Sequence, residues 1–424
     1  MNERIASRVL CSLMVFLLLL PACGNGGDPR SGLRPLILAH RGSTRFAPEN
    51  SVKAIEEAMA DGADGVEIDL RICGSGEVVV FHDRDLKRMT GEEGRVEEKP
   101  LVALKKVCLR SPGGGIHRIP TLEEILDRFG GRTILFLEMK VPENRNLAVS
   151  MAEKVARAIH CRELEDDTFV SSLNHLFVAQ VAKRYHGIRT VYEFLADPEL
   201  EKMPETLPGN PPHVRWVGPS LSRLNRPFVS WARRRFEGIS TFTAVNAGDL
   251  DRARSLGADL IQTDIPRVAV LWRDRKLTPE ALDACRELDL GVDVPATFSP
   301  GRHRLPWVEV PVTPGGVYAV QMEVEGVGQP PPTPSTHGLL ILLERETPSS
   351  NQRGVADAAE VAGLLSARPH GMVQQYDAEN GRYRLTLIHR SCAATRFFRL
   401  VFGLTGCEKG FHVRTLNFRV LEES

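Results

Sequence analysis

The chain has no excess of charge of either sign: 54 lysines and arginines balance 54 aspartates and glutamates over 424 residues. A nucleic-acid binder would carry a basic surplus and a disordered tail a long acidic run, and neither is present. Any chemistry on an anion must come from local placement of charge. Past residue 20 no apolar run is long enough to cross a membrane, and no internal repeat is visible. Beyond residue 23 lie Cys73, Cys108, Cys161, Cys285, Cys392 and Cys407, whose spacings match no zinc pattern. What is present is the composition of a globular protein, 42% hydrophobic and 25% charged. The length exceeds one ordinary core, so two domains are expected.

The first segment stands apart. Arg4 and Arg8 precede an apolar stretch from Val9 to Leu20, which ends in Leu20-Pro21-Ala22-Cys23. A charged start, a short apolar stretch and a small residue before the cut describe an export signal. A cysteine directly after that small residue resembles the lipobox of bacterial lipoproteins. The resemblance implies a signal peptide over 1–22, removed before Cys23, and lipidation of Cys23. Residues 23–34 would then be a flexible Gly-rich tether. The expected location is the bacterial cell envelope, anchored to a membrane by lipid. Plain secretion or a single N-terminal anchor helix are the alternatives.

The rest is organised around Leu36–Glu49, LILAHRGSTRFAPE. Leu36–Ala39 suits a buried parallel strand. It delivers His40, which exchanges protons near neutrality, and Arg41, whose planar fork suits a phosphate. Val52–Asp61 reads as an amphipathic helix capped by Asn50 or Ser51. Gly65–Leu70 is a strand on which Glu67 and Asp69 share a face. Two carboxylates side by side call for something positive, and a hard divalent cation is the natural candidate. A third apolar run, Val78–Phe81, delivers His82 and Asp83. Thr121 and Glu124 form a capping box. A fourth strand from Thr133 ends in Glu138-Met139-Lys140, putting Glu138 and Lys140 on one face.

In this order and spacing, several short pieces together resemble the glycerophosphodiester phosphodiesterase family. They are HRG at His40–Gly42, APENS at Ala47–Ser51, GADGVEID at Gly62–Asp69, VVFHD at Val79–Asp83, LKRMTG at Leu86–Gly91, IPTLEE at Ile119–Glu124 and LEMK at Leu137–Lys140. Gly257–Pro266 matches the family's last strand. Ser240–Asn246 departs from it: Thr243 and Ala244 stand where the family commonly has Trp-Thr, which leaves head-group preference open. The resemblance implies hydrolysis of glycerophosphodiesters to sn-glycerol 3-phosphate and an alcohol. His40 and His82 would be acid and base, Arg41 and Lys140 would hold phosphate, and Glu67, Asp69 and Glu138 would hold Ca²⁺ or Mg²⁺. Glu49 is a supporting residue that orients Arg41, binds metal or pins its loop.

Repeated strand–helix units predict a TIM-type (β/α)8 barrel over 35–278, with its site at the carboxyl ends of the strands. Nine strand candidates compete for eight places, and the short connection after Asp69 leaves no room for a full crossover helix. Cys73 and Cys108 fall in loops on one face of such a barrel. A linker over 279–300 leads to period-two stripes: Tyr318, Val320, Met322 and Val324; Tyr383, Leu385 and Leu387; Phe398, Leu400 and Phe402; Leu416, Phe418 and Val420. With Leu339–Leu343 as a central strand, these predict a smaller antiparallel β-sandwich, jelly-roll-like, over 301–424. Cys392 and Cys407 flank one of its strands and are one candidate pair, Cys73 and Cys108 are another, and free buried thiols are the equal alternative to either bridge. Such a domain would bind a glycan or surface partner, or act as a spacer. Two rival functions remain: a phospholipase-D-like or lysophospholipid-cleaving enzyme on the same barrel, and a non-catalytic attachment lipoprotein.

Overall fold

The computed structural model describes residues 34–45, 47–111, 114–142, 145–195 and 214–277. In the C-terminal half it describes 281, 285–288, 296–298, 305–325, 338–345, 353–356, 372–377, 382–391, 395–404 and 411–422. Cys23, Cys392 and Cys407 lie outside the described residues. The chain divides into two units, residues up to 244 with 250–266, and 245–249 with 267–424.

In the first unit, β1 (Leu36–His40), β2 (Gly65–Ile72), β4 (Ile134–Met139), β5 (Thr168–Ser172), β6 (Arg189–Phe194), β7 (Trp216–Pro219), β8 (Gly238–Ala244) and β9 (Leu260–Thr263) pair in parallel. The ring closes because β1 pairs with both β2 and β9. The ninth candidate, β3 (Val78–Val80), lies outside the ring. It runs antiparallel to β2 in the register Leu70 to Val80 and Ile72 to Val78. A five-residue turn after Ile72 is too short for a crossover helix, so the chain folds back on itself.

Helices α1 (Val52–Ala60), α2 (Leu122–Phe129), α3 (Arg145–His160) and α4 (His175–Arg184) cover the outward strand residues. Ile55, Ile125, Phe129, Val155 and Val181 join Val66, Ile68, Leu135 and Leu137 in one buried cluster. Ser51 caps α1 through Ala54 N, and Thr121 with Glu124 makes the expected capping box on α2. Inside the ring, Leu38, Phe136, Phe169, Val191, Trp216 and Leu260 form an apolar floor. The Phe136 and Phe169 rings stack at 5.8 Å, and Phe169 meets Trp216 edge-on at 5.1 Å. Gly65 has to lack a side chain here, since a Cβ would lie 2.6 Å from Leu38 Cδ2 and 2.5 Å from the Ile134 carbonyl oxygen.

The polar excursion after His82 has a small core of its own. Leu86, Val96, Leu104, Leu109 and Ile119 pack on Cys73, Val79 and Phe81. Cys73 and Cys108 are both free thiols, Cys73 buried and Cys108 exposed. Among the described residues no helix is long and apolar enough to cross a membrane.

The second unit carries two antiparallel sheets. Its strands are β10 (Arg286–Leu288), β11 (Ala296–Phe298), β12 (Leu305–Pro311), β13 (Val317–Glu325), β14 (Gly338–Arg345), β15 (Arg353–Ala356), β16 (Met372–Asp377), β17 (Arg382–Arg390), β18 (Phe397–Leu404) and β19 (Phe411–Glu422). One sheet has the order β10-β19-β13-β17-β16, with β11 also on β19, and the other β14-β18-β12-β15. Tyr318 and Phe418 of the first meet Phe398 of the second, with Tyr318 to Phe398 centroids 5.2 Å apart. Two expectations are corrected here. The 279–300 stretch is not merely a linker, because β10 and β11 are part of the sheet. The all-apolar strand around Leu339–Leu343 is an edge, pairing with β18 alone among the described residues.

Candidate active site

Strand register brings the acids together. His40 lies beside Glu67 on the β1–β2 pair, and Asp69 beside Glu138 on the β2–β4 pair. All four sit at the carboxyl ends of barrel strands, above the apolar floor. One oxygen from each of Glu67, Asp69 and Glu138 lies within 4.8 Å of the other two. Glu67 is fully buried and Asp69 is 1% exposed, so their charges need partners. Lys140 Nζ supplies one, 2.9 Å from Asp69 Oδ1 and 2.6 Å from Glu138 Oε2. Arg41 supplies another, with Nε 3.3 Å from Asp69 Oδ2 and Nη1 3.2 Å from Glu49 Oε1. Its backbone N–H donates to Glu67 Oε2 at 3.0 Å. Arg41 takes a left-handed backbone, φ 58°, which turns the chain sharply where β1 ends.

Asn50 completes the set from below. Its Nδ2 donates to Asp69 Oδ2 at 2.6 Å, and its Oδ1 accepts from the Asp69 N–H at 2.9 Å. Glu67 Oε1 is buried and has no hydrogen-bond partner. An all-oxygen donor set with one buried, unsatisfied carboxylate oxygen fits a hard divalent cation.

Electrostatics divide the acids. Burial pushes the Glu67 carboxyl well above the ordinary range, and its neighbours Asp69 and Glu138 push the same way. Burial also works against Asp69, but the cations of Lys140 and Arg41 outweigh it and hold that carboxyl low. Reciprocally, Asp69 and Glu138 raise Lys140 against its own burial. The pairing of groups with opposed shifts marks a site organised for charge.

Each histidine is backed by a carboxylate. His40 Nδ1 is 2.6 Å from Asp264 Oδ1, and His82 Nδ1 is 2.7 Å from Asp83 Oδ1. A carboxylate accepts, so each Nδ1 carries the proton and each Nε2 is left for chemistry. His40 Nε2 is 3.9 Å from Glu67 Oε2. Burial lowers His82, with Lys140 and Arg41 adding to it and Asp69 and Asp83 opposing. Arg71 donates from Nε to the His82 carbonyl at 2.8 Å and fixes the backbone there.

The structure therefore joins His40, Arg41, Glu67, Asp69, Glu138 and Lys140 in one contact network. His82 adjoins it at the end of the hairpin, where Phe81 N–H donates to the Asp69 carbonyl at 2.9 Å. Glu49 stands outside the three-carboxylate group, bonding Arg41 and Arg88. Asn246 only closes a turn, accepting from the Asp249 N–H.

Sequence reasoning missed three participants. Asp264 follows β9 directly, as His40 ends β1, and that placement was its signal. Asn50 reads as a helix cap, yet Ser51 does the capping. Glu193 is the one acid of β6 (RTVYEF), and it is buried. Its Oε2 accepts from Ser171 Oγ at 2.9 Å and its Oε1 from Gln262 Nε2 at 2.7 Å. Burial, reinforced by Glu138, pushes its carboxyl up to about 8, although the Gln262 and Ser171 hydrogen bonds work in the other direction.

A group raised in the folded state stabilises the fold fully below its unfolded value. That contribution drains away as pH climbs through the folded value, here about 8. Glu193→Gln is expected to flatten the fall of Tm on going from acid to mildly alkaline buffer. The difference from wild type should grow to a few kcal/mol, on the order of the shift converted at ~1.4 kcal/mol per unit. Parallel Tm curves for variant and wild type would contradict this.

A closed parallel barrel with an acid-lined mouth places the protein among the TIM-barrel hydrolases. A family model described as the Glycerophosphoryl diester phosphodiesterase family matches residues 40–268, and the chain belongs to that family. It is 33% identical over 154 residues to a glycerophosphodiester phosphodiesterase of Caldanaerobacter subterraneus, a match covering 36% of this chain and 63% of that one. With the Bacillus altitudinis enzyme of the same name it is 28% identical over 244 residues, 56% of this chain and 98% of the other. Among solved structures, a putative glycerophosphoryl diester phosphodiesterase from Silicibacter pomeroyi shares the fold. The TM-score is 0.51 at 21% identity, over 57% of this chain and 95% of that one.

Proposed function

We propose that the enzyme hydrolyses glycerophosphodiesters to sn-glycerol 3-phosphate and an alcohol, with a divalent cation and two histidines as acid and base. The observation that carries this is the juxtaposition of an all-oxygen carboxylate trio with two fixed cations and two carboxylate-backed imidazoles. A phosphodiester is an anion with a poor alkoxide leaving group. It needs charge neutralised, a nucleophile deprotonated and the departing oxygen protonated. Glu67, Asp69 and Glu138 would hold Ca²⁺ or Mg²⁺, which supplies Lewis-acid polarisation of the phosphoryl group when bound. Arg41 and Lys140 shift from the acids toward phosphate oxygens. One neutral imidazole takes the proton of the attacking oxygen at Nε2, and the other, entering as the imidazolium, gives its Nε2 proton to the leaving oxygen. Each transfer is worth about 10²–10⁴-fold.

The test is release of glycerol 3-phosphate from glycerophosphocholine with and without chelator. Turnover that chelator stops and added cation restores is expected. No chelator-sensitive turnover on a panel of glycerophosphodiesters and lysolipids would overturn the reading.

A second reading has one observation in its favour. Leu173 and Leu195 are exposed and directly follow β5 and β6, at the mouth end of the barrel. Exposed leucines beside a polar site suit an acyl chain, and a mouse protein named lysophospholipase D GDPD3 is 36% identical over 122 residues. Lysophosphatidylcholine belongs in the panel for that reason. Faster turnover of it than of glycerophosphocholine would favour this reading.

The enzyme is further proposed to be exported and lipid-anchored at Cys23 in the cell envelope, and its second unit to bind a glycan or surface partner. Support for the anchor is the charged, apolar and small-residue order of residues 4–23. Cys23→Ser should move the protein from the membrane to the soluble fraction on cell fractionation. Unchanged membrane retention would refute lipidation.

A further inference from the structure

We infer that Arg88 is a positioning residue that locks the His82 ring by tying it, through Asp83 and Glu49, to Arg41. The inference rests on the phosphodiesterase reading for the chemistry it serves, and on the geometry alone for the lock itself. Arg88 comes from a short helical turn, Lys87–Thr90, in the excursion between β3 and β4, outside the barrel ring. Its guanidinium uses every nitrogen. Nε donates to Asp83 Oδ2 at 2.5 Å, Nη1 to Glu49 Oε2 at 3.0 Å and Nη2 to Glu49 Oε1 at 2.6 Å. Glu49 Oε1 also accepts from Arg41 Nη1, and Asp83 Oδ1 accepts from His82 Nδ1. The result is one chain of bonded charges, Arg41–Glu49–Arg88–Asp83–His82, linking the end of β1 to the end of the hairpin.

Stability does not explain this arrangement. The Arg88 side chain is 48% exposed, and ion pairs that open to water contribute about 0–1 kcal/mol. Geometry explains it better. Asp83 can fix the proton on His82 Nδ1 only while its own carboxylate is held, and Arg88 Nε is what holds the second oxygen. A two-sided grip on Asp83 and Glu49 needs the planar fork of arginine; a lysine has one nitrogen to offer. Arg71 pins the His82 backbone, so ring rotation is the remaining freedom, and the Asp83–Arg88 pair removes it. The other charges that act on His82 are Asp69, Lys140 and Arg41 from the strand ends. Of these and its own neighbour Asp83, the Asp83 carboxylate is the one bonded to the ring.

The test uses the full-length protein and the variants Arg88→Ala, Arg88→Lys, Asp83→Asn and the double variant Arg88→Ala/Asp83→Asn. Expected for Arg88→Ala is a loss of about 10–100-fold in kcat on glycerophosphocholine, with KM nearly unchanged. Lysine should not rescue it, and the double variant should be no worse than Asp83→Asn alone, because the two residues act as a unit. Nitrogen NMR of the His82 ring should report Nδ1–H in wild type and a mixture of tautomers in Arg88→Ala. Wild-type kcat in Arg88→Ala, a loss confined to KM, full multiplication of the two single losses, or an unchanged ring spectrum would each overturn the inference. An inactive wild type would sink the phosphodiesterase reading instead, and the ring spectrum would still decide the role of Arg88.

Discussion

Replacing His82 by alanine is expected to cut kcat by about 10²–10⁴-fold while moving Tm by no more than a few degrees. The asymmetry follows from where the ring sits. Its side chain is 29% exposed and hydrogen-bonded to Asp83, so little apolar burial is lost. The backbone at this position is held independently, by Arg71 at the carbonyl of His82 and by Asp69 at the N–H of Phe81. What disappears is a proton carrier whose Nε2 is unencumbered. Comparison of choline and nitrophenyl esters of glycerol 3-phosphate then assigns the two imidazoles. A good leaving group needs no protonation, so the variant lacking the acid recovers on the nitrophenyl ester and the variant lacking the base does not. His40→Ala, tested in parallel, should give the complementary pattern. A large fall in Tm with turnover retained would exclude a catalytic role for His82.

Replacing Glu67 by glutamine is expected to have the opposite pair of consequences for stability and for cation response. In the ion-free protein this carboxyl is buried among other acids and is pushed well above its ordinary range. Its stabilising share is complete in acid and is lost as pH rises through the folded value. An amide carries no charge to bury. It can still accept from the Arg41 N–H, so no donor is orphaned. The variant should therefore melt at or above the wild-type temperature in chelator at neutral to alkaline pH. Wild type should gain Tm on addition of Ca²⁺ or Mg²⁺ through mass action, and the variant should gain little. Turnover should fall by about 10³-fold or more, as for loss of several kcal/mol of electrostatic stabilisation. A variant that keeps both the cation-induced Tm rise and its turnover would remove Glu67 from the site.

Much of this site could be read from residue order, because strand periodicity is local information. Glu67 and Asp69, like Glu138 and Lys140, share a face by a spacing of two, and a parallel barrel sends every strand's carboxyl end to one mouth. The Thr121 capping box is likewise a matter of neighbours. Partners contributed across the ring were harder. Asp264 reaches His40 across 224 positions of sequence, and Gln262 reaches Glu193 across 69; no local pattern encodes either pairing. Val78–Val80 was indistinguishable from a barrel strand because a short apolar run says nothing about its direction. The run at Leu339–Leu343 misled in the same way, since continuous hydrophobicity suggests a central strand, whereas among the described residues it pairs on one side alone. Glu49 reads as a support for Arg41, but its bonds to Arg88 span 39 positions of sequence, and no local pattern encodes them.

Among the described residues, the aromatic floor of Phe136, Phe169 and Trp216 fills the barrel beneath the acids. Substrate would then enter, and both products depart, by way of the same acid-lined rim. Whatever leaves second stands in the path of the next arrival, so inhibition by the phosphate product should be competitive. A crowded exit, rather than bond cleavage, can then set the pace when product accumulates.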